Sequence, residues 1–155
     1  MKYERTQTGW PVRVSFGLAA LGFLAMSALH PFDRPLARAA LLGGAGLAVA
    51  LGLAWSRLTV RIERDRLHWA YGPGWPRFSL PLEDIAKIEA MRTTFWHGWG
   101  IHRVRGGWVY NIAGRDALRI VRSDGRLVLL GTDEPRRLKA ELERARAAAP
   151  GRRRG

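Results

Sequence analysis

The sequence predicts a membrane α-hairpin followed by a mainly-β domain, and three observations carry that expectation. Two apolar runs, Val14–Leu29 and Ala39–Trp55, lie back to back near the N-terminus. From Leu58 onward the apolar period changes from helical to two. One amphipathic segment with helical spacing, marked by Leu138, Leu142 and Ala145, closes the chain.

At 1.5 Å rise per residue each apolar run covers roughly 24–26 Å, slightly short of a ~30 Å hydrocarbon core. Val12 extends the first run past Arg13, and Leu36 and Ala37 extend the second past Arg38, whose long stems snorkel to headgroup level. The expected spans are therefore about 13–30 and 36–55, inside a hairpin of residues 13–56. Trp10 and Trp55 fall at the two ends that share a side, as interfacial aromatic anchors do. A soluble helical hairpin is the alternative, but the only polar residues within the runs are Ser15 and Ser27, and neither run carries a polar stripe. A cleaved signal peptide, with Met26-Ser27-Ala28 as a weak cleavage site, would leave the second run to arrest in the bilayer.

His30-Pro31-Phe32-Asp33-Arg34-Pro35 reads as the turn between the helices. Lys2, Arg5 and Arg13 flank the first helix, and Arg57, Arg61, Arg64 and Arg66 follow the second, whereas the turn side has only Arg34 and Arg38. The positive-inside rule then puts both termini in the cytoplasm, with residues 1–12 as a cytoplasmic N-terminal segment. Ala40, Gly44, Ala48 and Gly52 repeat every fourth residue. Such a stripe admits close approach of the first helix, or of a second copy in a weak homodimer.

In the second region, residues 57–149, Leu58, Val60 and Ile62 alternate with polar residues, and Leu67, Trp69 and Tyr71 do so again after Arg64-Asp65, a hairpin pattern. Phe78–Leu82, Ile85–Arg92 and Trp108–Ile112 read as further strands. Ala117–Arg122 and Arg126–Gly131 pair across Ser123-Asp124-Gly125. Phe95–Gly107 reads as irregular. Asp133 is expected to cap the final helix, with Pro135 in its first turn and Arg137–Glu141 and Lys139–Glu143 pairs on its wet face. Residues 150–155 read as a disordered basic tail.

Tyr71-Gly72-Pro73-Gly74, Gly98-Trp99-Gly100-Ile101, Gly107-Trp108-Val109-Tyr110-Asn111-Ile112-Ala113-Gly114 and Gly131-Thr132-Asp133-Glu134-Pro135 resemble bacterial membrane proteins that carry a pleckstrin-homology-like (PH-like) domain after a transmembrane hairpin. The resemblance covers roughly Leu58–Ala145. It implies a PH-like barrel of about seven antiparallel strands with a C-terminal helix at one open end, at the bacterial cytoplasmic membrane. The first hairpin loop, Arg64-Asp65-Arg66, is short and has an acid at its centre, unlike the long basic loop of phosphoinositide-binding PH domains.

The formal net charge is +13, from 26 basic and 13 acidic residues. A basic surface beside anionic headgroups gains about 1 kcal/mol per nearby Lys or Arg. No basic helical stripe or nucleic-acid motif is present, so no nucleic-acid partner is expected. The absence of cysteine removes thiol nucleophiles and thiolate metal sites. His97 and His102 have no carboxylate spaced to complete a metal site, and Gly98-Trp99-Gly100 leads into no phosphate-binding helix. No catalytic residue, metal or cofactor is expected. The reading is a non-enzymatic protein-binding or scaffolding module. The alternative is an anionic-lipid contact through Trp96 and Trp99 with Arg92, Arg103 and Arg105, unless both tryptophans fold inward to cap the barrel.

Overall fold

The computed structural model describes residues 3–29, 34–93 and 100–148. Strand β1 (Tyr3–Thr8) precedes helices α1 (Trp10–Leu29) and α2 (Pro35–Ala54), and β2 (Arg57–Glu63) follows them directly. β1 and β2 are antiparallel partners, from Tyr3 opposite Ile62 to Thr8 opposite Arg57. The hairpin is thus inserted between two adjacent strands of one sheet. Residues 1–12, expected as a plain N-terminal segment, instead contribute an edge strand. Tyr3 is its only large apolar residue, so β1 has no alternation of its own and takes its conformation from its partner.

β3 (Arg66–Tyr71) and β4 (Arg77–Pro81) complete a four-stranded sheet in the order β1-β2-β3-β4. The β2–β3 turn is the two residues Arg64 and Asp65, with Arg64 at φ 53°. After a 3₁₀ turn at Leu82–Asp84 come β5 (Ile85–Arg92), β6 (Gly100–Val104), β7 (Gly107–Asn111), β8 (Asp116–Arg122) and β9 (Leu127–Gly131). They form a second sheet in the order β5-β8-β9-β7-β6.

This second sheet corrects the expected antiparallel barrel in three ways. β6 lies within the stretch read as irregular; its burial is intermediate nearly throughout, which hides any alternation. β9 enters between β7 and β8 and runs parallel to β7, with Tyr110 opposite Leu130. The nine described strands form separate sheets of four and five, not one closed barrel.

Leu58, Val60, Ile62, Leu67, Trp69 and Tyr71 from the first sheet share one core with Ile88, Tyr110, Leu118, Ile120 and Leu130 from the second. Tyr110 bridges the sheets, its ring centroid 5.0 Å from that of Trp69 and 4.7 Å from that of Phe78. Helix α3 (Pro135–Ala148) contributes Leu138 and Leu142, both fully buried, as their spacing predicts. Asp133, expected as its cap, instead pairs with Arg5 of β1 at 2.7 Å, while the Thr132 hydroxyl accepts a hydrogen bond from Glu134 N. The Lys139–Glu143 pair forms at 3.7 Å, but Arg137 turns to Glu134 and Glu141 takes Arg144.

Each of α1 and α2 has 20 residues, about 30 Å of helix, long and apolar enough to cross a membrane. Only 11% and 17% of their apolar windows are buried within the chain, and Leu18, Leu21, Leu47 and Leu53 are all more than half exposed. Phe16, Ala20, Phe23 and Ser27 face α2 at 4-3-4 spacing, the seam of near-antiparallel helices. Gly44 and Gly52 receive the rings of Phe23 and Phe16: a Cβ at Gly44 would lie 3.2 Å from Phe23 Cε1, and one at Gly52 would lie 3.0 Å from Phe16 Cβ. The small-residue stripe is therefore occupied within the chain, and Ala40 lies outside the contact, exposed.

Gly52→Leu should force the helices apart and cost about 1–3 kcal/mol, read as a lower thermal midpoint in detergent. Gly46→Leu, at a position with nothing within 4 Å, should leave the midpoint unchanged or raise it. The chain's three tyrosines, Tyr3, Tyr71 and Tyr110, are all held above their ordinary pKa, chiefly by burial. Because the folded state favours the neutral phenol, this contribution is complete below about pH 10 and lost as pH rises beyond it. An alkaline absorbance titration should show no tyrosinate until above pH 10, with its appearance coinciding with loss of structure.

Candidate functional site

The helices join the β domain without a linker. Gly9 N donates to Ser56 O at 2.9 Å, one step beyond the β1–β2 ladder, and Arg13 N donates to Gly9 O at 3.1 Å to begin α1. The Ser56 hydroxyl donates back to Leu53 O at 2.9 Å, tying the end of α2 to the start of β2. Gly9 sits so close to Ile112 that a Cβ there would lie 2.7 Å from Ile112 Cγ1. The β7–β8 connection is itself held by Gln7, whose side-chain amide donates to Ala113 O at 2.9 Å. Both sheets therefore touch the base of the hairpin.

From this base the outer face of the first sheet presents a polar trough of about 590 Å³. Because β-strand side chains alternate, placing Leu58, Val60 and Ile62 in the core puts Arg57, Thr59, Arg61 and Glu63 on the outer face. Across the ladder run the rows Thr6–Thr59–Ala70–Arg77 and Glu4–Arg61–His68–Ser79. The Thr6 and Thr59 hydroxyls are 3.0 Å apart and form the floor. Arg61 is paired with Glu4 at 2.7 Å, so the end of the trough far from the helices is largely neutralised.

The end next to the helices is different. Arg57 on β2 and Arg77 on β4 line the trough on either side of β3, where the intervening positions are Ala70 and Gly72. Gly72 N donates to Arg57 O at 2.9 Å. Gly72 has φ 49°, and a Cβ there would lie 2.3 Å from Ala54 O, so only glycine fits beside the last turn of α2. Arg77 donates through Nε to Gly74 O. Among the described residues neither Arg57 nor Arg77 makes an ion pair with a carboxylate. Trp75, 73% exposed, is on the same turn, and Trp10 at the start of α1 is 67% exposed.

A second, shallower groove runs between β5 and α3, lined by Glu89, Met91, Arg119, Arg136 and Lys139. There the Lys87 ammonium at 2.6 Å and the Arg119 guanidinium at 2.7 Å hold the Glu89 carboxyl below the usual carboxylate range. Glu89 is thus an ionised partner in a salt-bridge pair.

Of the residues expected from sequence as one contact patch, the three arginines lie on separate elements. Arg92 ends β5 and pairs with Asp116 at 3.4 Å, whereas Arg103 is on β6 opposite Trp108 and Arg105 is in the β6–β7 turn. β5 and β6 are opposite edges of their sheet. Trp96 and Trp99 lie outside the described residues. Sequence reasoning missed Arg57, Arg77 and Trp75. The signal available was the Gly72-Pro73-Gly74-Trp75-Pro76 turn, but nothing local places it beside α2. Among the described residues no group of three or more His, Asp or Glu is gathered to hold a metal.

No family model matches the chain, and no curated protein matches it.

Gly72→Ala should destabilise the protein by more than the ~1 kcal/mol typical of alanine in the left-handed region, because its methyl also overlaps Ala54 O. Thermal unfolding of the two proteins in the same detergent checks this, with Gly125→Ala, at φ 81° in open space, as the control that carries the backbone term alone.

Proposed function

We propose that this is an integral protein of the bacterial cytoplasmic membrane, in which α1 and α2 cross the bilayer and hold a PH-like domain on the cytoplasmic face as a non-catalytic protein-binding or scaffolding module. The observation that carries this reading is the β1–β2 ladder. Two partner strands cannot lie on opposite sides of a bilayer, so a hairpin between them leaves and returns on one side. The Lys and Arg residues around Lys2–Arg13 and Arg57–Arg66 outnumber Arg34 and Arg38 at the far turn, and so point the domain to the cytoplasm. Trp10 and Trp75, both exposed, provide aromatic anchors where the helices meet the domain, while Trp55 packs against the domain core. Cleavage of α1 as a signal peptide would also remove β1, an integral strand.

The PH-like reading is supported by a four-stranded antiparallel meander, a second sheet packed on it and a C-terminal helix that buries Leu138 and Leu142. A domain tethered in two dimensions engages a membrane-bound partner at high effective concentration, so a weak contact suffices. Edge strands β4 and β6 are available for an added peptide strand. The second reading, an anionic-lipid contact, is favoured by the unpaired arginines at the helix end of the trough.

The natural absence of cysteine makes a topology test direct. In intact cells Arg34→Cys should react with a membrane-impermeant maleimide, and Ser123→Cys, in the exposed β8–β9 turn, should react only after lysis. The reverse pattern overturns the orientation. Release of the chain by alkaline carbonate overturns the membrane reading. For the module itself, chemical crosslinking in native membranes should yield one specific partner adduct; an adduct-free protein that binds anionic vesicles would favour the lipid reading.

A further inference from the structure

Arg57 and Arg77 are anchored on strands two apart, about 10 Å at ordinary strand spacing. Between them β3 offers only the methyl of Ala70 and the hydrogen of Gly72. Gly72 carries no side chain, because its φ is 49° and a Cβ would overlap Ala54 O, and Arg77 is held by its Nε on Gly74 O with its other guanidinium nitrogens left to donate. The trough's remaining arginine, Arg61, is already paired with Glu4. A planar guanidinium fork matches phosphate oxygens, and two of them lining one end of a trough favour an anion of concentrated charge.

The position of this end of the trough adds a second argument. Gly72 abuts Ala54, the last residue of α2, so it lies level with the end of the apolar span. Trp75, 73% exposed, projects from the same turn. A bilayer places its phosphate layer at that depth, and tryptophan prefers it.

We propose that Arg57 and Arg77, which line the helix end of the trough, form a binding site for a phosphate group. Two sources supply such a group at this depth: the headgroup of an anionic phospholipid, or a soluble phosphate monoester. The lipid source rests on the membrane reading above; the site itself does not.

The test uses the full chain in neutral detergent. Phosphatidylglycerol doped into the micelles, with phosphatidylcholine as its zwitterionic counterpart, probes the lipid source, and glycerol 1-phosphate probes the soluble one. Lipid retention is read by native mass spectrometry and soluble binding by calorimetry. Arg57→Gln/Arg77→Gln should weaken binding about tenfold or more, since two charge-assisted forks are lost. Arg57→Lys/Arg77→Lys should recover only part of it, because charge is kept and the fork is not. Arg126→Gln/Arg144→Gln, with the same change in net charge at the β8–β9 turn and on α3, should bind as wild type does.

Phosphatidylglycerol retained over phosphatidylcholine assigns the site to lipid; glycerol 1-phosphate bound without lipid preference assigns it to a soluble ester. Wild-type-like binding by the Gln double variant in both arms, or no binding of either probe by the wild type, overturns the site. Extraction of the wild type by carbonate removes the lipid source alone, and the glycerol 1-phosphate arm still decides the site. Matched thermal midpoints of the variants separate loss of binding from loss of fold.

Discussion

The backbone ladder between β1 and β2 is the constraint on which the rest of the structure depends. It joins residues on either side of a hairpin of more than forty residues, with Thr8 opposite Arg57. Its last rung, Gly9 N to Ser56 O, leaves no residue before α1 begins and only Trp55 after α2 ends. β2 is held by β3 and by its buried Leu58, Val60 and Ile62, whereas β1 has fewer ties. Tyr3 supplies the apolar anchor of β1, Arg5 ties it to Asp133 at the start of α3, and Gln7 ties it to the β7–β8 connection. A short polar edge strand thereby touches both sheets and the C-terminal helix.

Because the junction has no slack, the geometry of the hairpin and that of the domain are coupled. Gly9 fits against Ile112, and Gly72 fits against the last carbonyl of α2. A domain on a flexible linker would sample many orientations relative to its helices. This one presents a fixed end, bearing Trp10, Trp75, Arg57 and Arg77, toward the base of the hairpin. Gly72 both permits the close approach of α2 and lines the trough, so the attachment of the helices and the trough share a residue.

The helices, the β2–β3 hairpin, the β8–β9 hairpin and α3 were legible in the sequence because each carries its own local pattern. The apolar runs exceed what a small core can bury, Leu58–Ile62 and Leu67–Tyr71 alternate, and Leu138 and Leu142 are one helical turn apart. β1 and β6 were not legible, since an edge strand buried on little of its surface is specified by its neighbour. The insertion of β9 beside β7 was hidden for another reason: parallel pairing is a non-local choice that leaves no trace in either strand's own residues. The trough was hidden for the same reason: Arg57 and Arg77 are twenty positions apart and come to line one trough only through strand register, which neither residue's local sequence records.

The central claim, that the hairpin is clasped between two paired strands, is tested most directly by a disulfide across the ladder. Thr6 and Thr59 face one another with hydroxyls 3.0 Å apart, and the chain has no cysteine of its own. Thr6→Cys/Thr59→Cys, oxidised in native membranes and cut by protease between α1 and α2, should leave two fragments joined until a reductant is added. Gln7→Cys/Thr59→Cys, which directs one thiol to the opposite face of the sheet, should not crosslink. Fragments that separate without reductant in the first variant, or that crosslink equally in both, would contradict the pairing and with it the single-sided attachment of the domain.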